Sequence, residues 1–367
     1  MRIASILVAC LLYVPSSAAD VTVVTVADDL RHPWGMAFLP DGGLLVTERT
    51  GSLRVVRDGR LVDAPIAGVP DVYSRRQGGL LDVALHPEFE SNRLVYLSYA
   101  GAEDGLANTE VARGRFTGSA LEDVEVIFRA LPKTRGSLHW GSRLLFAPDG
   151  TLFVTLGERY SEMQQAQDPT NHLGTVVRLN DDGSIPDDNP FADGPSADGQ
   201  VGAPEVFSYG HRNVQGIARR PGTDEIWTHE HGPKGGDEIN VLRAGANYGW
   251  PAVTYGVDYS GAVISERTEA PGMEQPLLQW TPSIAPCGMA FYDADLFPEW
   301  KGDLFVGSLK FTHLRRLELE DEEVVGQEVL LQDRARRVRD VEVGPDGAIY
   351  VLTDHGDGEL LRLEPAR

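Results

Sequence analysis

Apolar positions along this chain come in short runs that stop at turns. They do not follow a helical period. Ala37-Phe38-Leu39 leads into Pro40-Asp41-Gly42 and out into Leu44-Leu45-Val46-Thr47. The figure returns as Leu145-Phe146-Ala147, Pro148-Asp149-Gly150, Leu152-Phe153-Val154-Thr155. It returns again as Val343-Gly344, Pro345-Asp346-Gly347, Ile349-Tyr350-Val351-Leu352. Proline presets φ at the first corner, aspartate caps the turn and glycine accepts positive φ, so each copy reads as a hairpin. Looser copies surround Pro87, Pro221 and Pro298, making six turn prolines with Pro40, Pro148 and Pro345. Their unequal intervals fit units of about 45 residues with insertions. The pattern predicts an all-β fold, a six-bladed β-propeller with loop insertions, over a sandwich or paired barrels, because closing the ring protects the strand edges. No stretch has the composition of a domain linker, so residues 20–367 are expected to form one propeller domain. The Asp-, Pro- and Gly-rich stretch from Gln164 to Gln200 reads as a loop excursion from one blade.

The start of the chain follows another rule. Met1-Arg2 is basic, Ile3 to Val14 is mostly apolar, and Ser17-Ala18-Ala19 precedes Asp20. This is the pattern of a secretory signal peptide spanning residues 1–19, and it implies a periplasmic or secreted protein. Leu7-Val8-Ala9-Cys10 also resembles a lipoprotein box, but apolar residues follow Cys10, which disfavours lipid attachment there. No later run reaches the ~18 apolar residues of a membrane span. With Cys10 removed, Cys287 stands alone and no internal disulfide can form. The net charge of −22 argues against nucleic acid or an anionic membrane as partner.

Strands rise ~3.3 Å per residue, so residues at matching offsets from the turns share one level of the wheel. Before the turns stand Gln77, His139, Arg212, Arg337 and Arg339; after them stand Glu48, Glu158, Gly232-Pro233, Lys310 and Asp354. Four cations at one level of an acidic protein suggest an anionic ligand held at the channel mouth. Each residue also has a structural reading: a buried histidine, arginines bridging blades, a solvated lysine. Their shared level, and their place in polar-aromatic clusters beside glycines, favours a ligand site.

Other motifs carry less. There is no P-loop, no dinucleotide-binding glycine pattern and no nucleophile elbow. His229-Glu230-His231 places two histidines on one strand face, and without a third ligand at zinc spacing a structural role is favoured. Gly232-Pro233, Asp237-Glu238 and Asn247-Tyr248 offer hard oxygen ligands that suit calcium.

The segments Arg76-Gln77-Gly78-Gly79-Leu80-Leu81-Asp82, His139-Trp140-Gly141-Ser142-Arg143-Leu144, Tyr209-Gly210-His211-Arg212-Asn213-Val214-Gln215-Gly216, His231-Gly232-Pro233-Lys234-Gly235-Gly236-Asp237-Glu238-Ile239-Asn240, Gly307-Ser308-Leu309-Lys310 and Arg337-Val338-Arg339-Asp340 occur in order. As a set they resemble the soluble aldose sugar dehydrogenases of the glucose/sorbosone dehydrogenase family, which use pyrroloquinoline quinone (PQQ). The resemblance spans nearly the whole chain after residue 19. It implies a periplasmic quinoprotein that oxidises the C1 hydroxyl of aldose sugars to the lactone by hydride transfer to PQQ. His139 would be the general base. Arg212 would stabilise charge on the quinone oxygen. Gln77, Arg212, Asn213, Thr254, Lys310, Arg337 and Arg339 would hold PQQ. Carbonyls of Gly232 and Pro233 would bind one Ca²⁺, and Glu238 with the Tyr248 carbonyl a second. Where the glucose-specific branch has aspartate after the histidine blade, this chain has Glu158, one methylene longer. The loops and single cysteine resemble the broad-specificity branch, for which a monomer is favoured over a dimer. The preferred sugar and the electron acceptor are not implied. Two alternatives stay open: a calcium-dependent propeller lactonase and a non-catalytic binding module.

Overall fold

The computed structural model of the protein describes residues 21–196 and 199–366. The expected signal peptide, its cleavage after Ala19 and the Cys10 question lie outside the described residues. Among the described residues the chain forms six four-stranded antiparallel sheets. Blade 1 comprises Pro33–Phe38, Leu44–Glu48, Ser52–Arg57 and Arg60–Leu61. Blade 2 comprises Leu80–Leu85, Leu94–Glu103, Leu106–Phe116 and Leu121–Arg129. Blade 3 comprises Gly141–Phe146, Leu152–Leu156, Thr175–Leu179 and Val206–Tyr209. Blade 4 comprises Val214–Arg219, Ile226–Glu230, Asp237–Val241 and Leu278–Trp280. Blade 5 comprises Pro286–Phe291, Leu304–Ser308, His313–Glu320 and Glu323–Leu330. Blade 6 takes Val338–Val343, Ile349–Thr353 and Gly358–Pro365 from one end of the chain. Its outer strand, Val21–Leu30, comes from the other end and pairs Val21 with Pro365. That pairing ties the two ends together, and the first strand of blade 6 packs beside that of blade 1. The result is a six-bladed β-propeller, as the repeat predicts.

All six turn prolines fall between the first and second strands of a blade. In the three Pro-Asp-Gly copies the turn glycines have φ of +82°, +84° and +78°. The aspartates accept from the backbone N–H two residues on, at 3.0 Å for Asp41 and Asp149 and 3.1 Å for Asp346. An arginine two strands out then pairs with each carboxylate: Arg57, Arg178 and Arg362, at 2.7, 2.7 and 2.9 Å. The Gln164–Gln200 stretch differs from expectation. Its middle returns to blade 3 as the buried strand Thr175–Leu179, whose β-branched run is masked by the turn-forming residues on either side.

Every first strand carries a register shift near its start. A bulge leaves a ladder N–H unpaired, and in blades 1–3 a hydroxyl on the second strand takes it. Thr47 accepts from Gly35 N, Ser98 from Asp82 N and Thr155 from Arg143 N, each at 2.9 Å. The same hydroxyls donate to carbonyls of the next blade: Leu81 O, Ser142 O and Val214 O.

The axis is closed by Arg143. Its guanidinium pairs with Asp340 of blade 6 at 2.6 Å and Asp82 of blade 2 at 3.3 Å. It donates to Gln215 O of blade 4 and Arg339 O of blade 6 at 3.1 and 2.9 Å. It lies 4.2 Å from the Trp34 ring of blade 1 and 3.8 Å from Cys287 Sγ of blade 5. One buried side chain thus touches all five other blades. Asp82 and Asp340 use their second oxygens on buried first-strand N–H groups of the following blades, Leu144 and Met36.

Candidate active site

First strands begin, and second strands end, at the rim opposite the Pro-Asp-Gly turns. In blades 1, 3, 4 and 6 a carboxylate at or just past the second-strand end faces this rim, and its partner decides its role. In blade 1, Glu48 accepts from Arg31 N at 2.8 Å. In blade 4, Glu230 accepts from His211 Nδ1 at 2.9 Å and from Arg212 N. In blade 6, Asp354 holds Arg339, Arg337 and His32. In blade 3, Glu158 Oε2 lies 2.7 Å from His139 Nδ1, so the longer side chain does reach the imidazole.

His139 sits in a tightly built loop. Its φ is +51°, in the left-handed region, and Gly141 and Ser142 follow at +62° and +87°. Arg159 stabilises this path from below, donating to the carbonyls of Gly136, Leu138 and His139. Its guanidinium lies 3.3 Å from the Trp140 ring centroid. Tyr160 sets its ring edge-on to the imidazole at 5.3 Å. Gln77 Oε1 accepts from His139 N at 2.8 Å, and Asn213 Oδ1 from Gly141 N at 3.1 Å. Burial pushes the His139 pKa below the ordinary value, Glu158 opposes that, and Arg212 adds to it. Burial would raise Glu158, but His139 and then Arg212 hold it below the usual carboxylate range. The pair therefore rests as neutral imidazole and carboxylate. With Nδ1–H bound to Glu158, Nε2 carries the lone pair.

A cavity of about 360 Å³ opens at this mouth. Of the residues expected there it is lined by Gln77, Asn213, Arg337 and Arg339. Arg339 is 7% exposed, with Nη1 3.3 Å from Cys287 Sγ and its buried Nε unpartnered. Arg337 reaches Leu309 O and Asp354 Oδ2, each at 3.3 Å. Lys310 is solvent-exposed above the Phe311 ring, beside the mouth rather than lining it. Sequence reasoning passed over Arg49, His32 and His355, which also line the cavity, and the Trp34 wall; His231, weighed there only as a metal ligand, and Trp140 line it too. Only the pairing of blades brings them there; for Arg49 the adjacent Glu48 was the available signal.

The other expected residues gather next door. Arg212 donates from Nη1 to His231 O at 3.0 Å and Gly232 O at 2.8 Å, stands 5.2 Å from the Trp250 ring centroid, and keeps a buried unpartnered Nε. A void of about 10 Å³ is lined by Arg212, Gly232, Glu238, Tyr248 and Thr254, with Glu230 facing Glu238 across the strand pair. Burial, then Glu230, pushes Glu238 up to about 8. Two carboxylates opposed in a space of that size suit a cation with oxygen ligands. Pro233 is buried beside Gly256. Asp237 is committed to backbone N–H groups of Gly232, Ile284 and Ala285. His229 and His231 each meet a carbonyl, Gly288 O and Pro286 O. Among the described residues no group of three or more His, Cys, Asp or Glu side chains could hold a metal.

A closed wheel with a buried histidine–carboxylate pair beside a guanidinium-lined mouth defines a propeller enzyme working at one end of its channel. The family model for Glucose / Sorbosone dehydrogenase matches residues 30–362, and the chain belongs to that family of oxidoreductases. The aldose sugar dehydrogenase YliI of Escherichia coli is 45% identical over 95% of this chain and 94% of its own. Quinoprotein glucose dehydrogenase B of Acinetobacter calcoaceticus is 27% identical over 90% and 84%. The crystal structure of the apo E. coli soluble aldose sugar dehydrogenase superposes with a TM-score of 0.89 at 45% identity, covering 94% and 100% of the two chains. The PQQ-bound aldose sugar dehydrogenase from Streptomyces coelicolor does so at 0.76 and 29%, covering 94% and 98%.

Proposed function

We propose that this protein is an aldose sugar dehydrogenase that uses PQQ and Ca²⁺ and oxidises the sugar C1 hydroxyl to the lactone. The observation that carries the reading is His139: a buried imidazole, held through Nδ1 by Glu158, beside a mouth rich in guanidinium groups. PQQ is a planar tricarboxylate. The donor set suits it, because the cavity presents three arginines against one carboxylate, and Arg339 and Arg212 keep buried N–H groups without partners. Gln77, Arg212, Asn213, Lys310, Arg337 and Arg339 would hold the group, with Thr254 nearer the cation void. When bound, PQQ supplies the acceptor for the hydride leaving C1.

The chain's own part is proton handling and charge placement. His139 Nε2 takes the proton of the C1 hydroxyl, and Glu158 stabilises the imidazolium that forms. Arg212, held by two carbonyls, keeps a fixed positive charge near the reacting centre. The Gly232 and Pro233 carbonyls would ligate one Ca²⁺, and Glu238 with the Tyr248 carbonyl a second. Because Gly232 O also accepts from Arg212, a cation there shares or displaces that bond.

Export by residues 1–19, one catalytic domain over 20–367, a monomeric state and an unidentified electron acceptor complete the reading. Among the described residues no helix is long and apolar enough to cross a membrane. The test is reconstitution: apoprotein with Ca²⁺, titrated with PQQ by absorbance, then offered a panel of aldoses with an electron-accepting dye. Stoichiometric uptake and dye reduction are expected. Lactone hydrolysis without uptake, or sugar binding without dye reduction, would overturn the reading in favour of a lactonase or a binding module.

A further inference from the structure

Arg49 counts among the three arginines of the cavity but has no role of its own in the reading above; it faces the cavity from blade 1. Its backbone is pinned on both sides. Arg49 N donates to His32 O at 3.1 Å, while Arg49 O accepts from Leu80 N at 3.3 Å and Ser74 Oγ at 3.2 Å. Blade 2 comes so close that a Cβ on Gly79 would lie 1.8 Å from that carbonyl. From that backbone the guanidinium meets Arg76 O through Nη1. Among the described residues it makes no ion pair.

Its charged neighbours are Asp354, Arg339 and Arg337. Asp354 is the one acidic residue in the cavity lining, and it is already shared by Arg339, Arg337 and His32. Burial, and then the two other guanidiniums working against Asp354, pull Arg49 below the ordinary arginine value. Three guanidiniums around one committed carboxylate repel each other unless a further anion joins them. A planar guanidinium fork matches a carboxylate in two parallel bonds, which a lone lysine cannot do.

We propose that Arg49, with Arg337 and Arg339, forms a carboxylate-binding corner on the side of the mouth where blades 1 and 6 meet. The carboxylate is either one of the cofactor's or that of an acidic sugar; the chemistry is the same and the ligand differs. The proposal rests on the dehydrogenase reading only for those two ligands, because the corner itself is read from this chain's charges.

The experiment compares the wild type with Arg49→Gln and Arg49→Lys, with Arg60→Gln, an exposed arginine of the same blade, as a control for overall charge. Binding of PQQ is read by absorbance titration of the apoprotein, and binding of benzene-1,3,5-tricarboxylate by calorimetry. Activity of the loaded enzyme is read as the ratio of kcat/KM for glucuronate to that for glucose. If the cofactor supplies the carboxylate, Arg49→Gln weakens PQQ and the tricarboxylate by about ten-fold or more, as loss of a charge-assisted bond requires. The sugar ratio then stays constant, Arg49→Lys recovers part of the affinity, and added salt narrows the difference. If the sugar supplies it, the ratio falls by about ten-fold while PQQ affinity holds. Equal PQQ affinity, tricarboxylate affinity and sugar ratio in folded Arg49→Gln and wild type overturns the corner and leaves the dehydrogenase reading standing. A wild type that takes the tricarboxylate through Arg49 but refuses PQQ does the reverse. Refusal of both ligands overturns both.

Discussion

Glu158→Gln removes a charge and almost nothing else. The side chain keeps its length, and its amide oxygen can still accept from His139 Nδ1–H and from Tyr160 N, the two donors that Glu158 Oε2 now serves. What is lost is the ionic half of a 2.7 Å bond between residues 1% and 5% exposed. A hydrogen bond to a charged group contributes about 1.5–3 kcal/mol. The benefit grows as the proton arrives on Nε2, so the loss falls on the step rather than on resting affinity. At 1.36 kcal/mol per factor of ten, kcat should drop by about 10–150-fold.

The pH dependence has a definite sign. Burial already lowers His139, and Glu158 pulls it back up. Without that charge the imidazole becomes a weaker base still. The enzyme needs it neutral, so activity rises as pH climbs through its pKa, and in the variant this acid limb moves to lower pH beneath a lower plateau. Dye-linked aldose oxidation across pH, with PQQ uptake measured alongside, reads both. An unchanged plateau with intact uptake, or a limb moved to higher pH, would refute the role given to Glu158. Loss of uptake in proportion to kcat would make Glu158 a structural support of the mouth instead.

Other perturbations test the frame around the pair. Arg143→Met strips Asp82 and Asp340 of their shared cation and should cost about 3–5 kcal/mol in urea unfolding, as breaking a buried pair does; a loss under 1 kcal/mol would show that water replaces it. Asp354 is held well below the usual carboxylate range by Arg339 and then Arg337, against burial. Its stabilisation is therefore present above the unfolded value near 3.9 and fades as pH falls below it. The urea-midpoint gap between wild type and Asp354→Asn should be wide at pH 7 and narrow below about pH 4; a constant gap would disprove the linkage. Chelation by EGTA should lower the melting temperature of the calcium-loaded wild type more than that of Glu238→Gln, which keeps only the ion on the Gly232 and Pro233 carbonyls; equal shifts would place the second ion elsewhere. Arg159→Lys keeps a charge and three donors but loses the planar fork that spans the carbonyls of Gly136, Leu138 and His139 and stacks on Trp140, so kcat should fall by about ten-fold with PQQ uptake unchanged; parallel loss of both would deny a role confined to His139.

Much of this arrangement was legible because the propeller converts sequence offset into height. The turns at Pro40, Pro148 and Pro345 mark one rim, and a strand length back from each lies the other. Hence Gln77, Arg337 and Arg339 could be placed at one mouth from spacing, and His139 and Arg212 beside it. Angle around the axis is not encoded that way. Arg49 and His355 line one cavity because blade 6 closes on blade 1, and that closure depends on Val21–Leu30 pairing with Gly358–Pro365 from the far end of the chain. Direction was equally hidden. Arg159 looks like a surface charge in Gly157-Glu158-Arg159-Tyr160, yet it is fully buried because φ of +64° and +67° at residues 159 and 160 folds it under the His139 loop. Lys310 had the right height and points outward.

The repeat also explains how an acidic protein comes to have a cationic mouth. The folding pattern delivers a carboxylate to the second-strand end of blades 1, 3, 4 and 6, where an incoming loop has N–H groups to satisfy. Glu48 and Glu230 meet that need directly, on Arg31 N and Arg212 N. Glu158 bonds a backbone N–H as well, and with the same oxygen holds the His139 ring. Asp354 has turned wholly to side chains, and in holding Arg337 and Arg339 it gathers more positive charge than it can neutralise. One structural position, repeated by the fold, thus yields a loop support in two blades, a base's partner in a third and an anion-seeking corner in a fourth. Glu48 also pairs with Arg54 and Glu230 with His211, but neither of those side chains lines the mouth; chemistry entered where the carboxylate's partner stands at or beside the mouth, which is why the site lies across blades that share a frame and differ at single side chains.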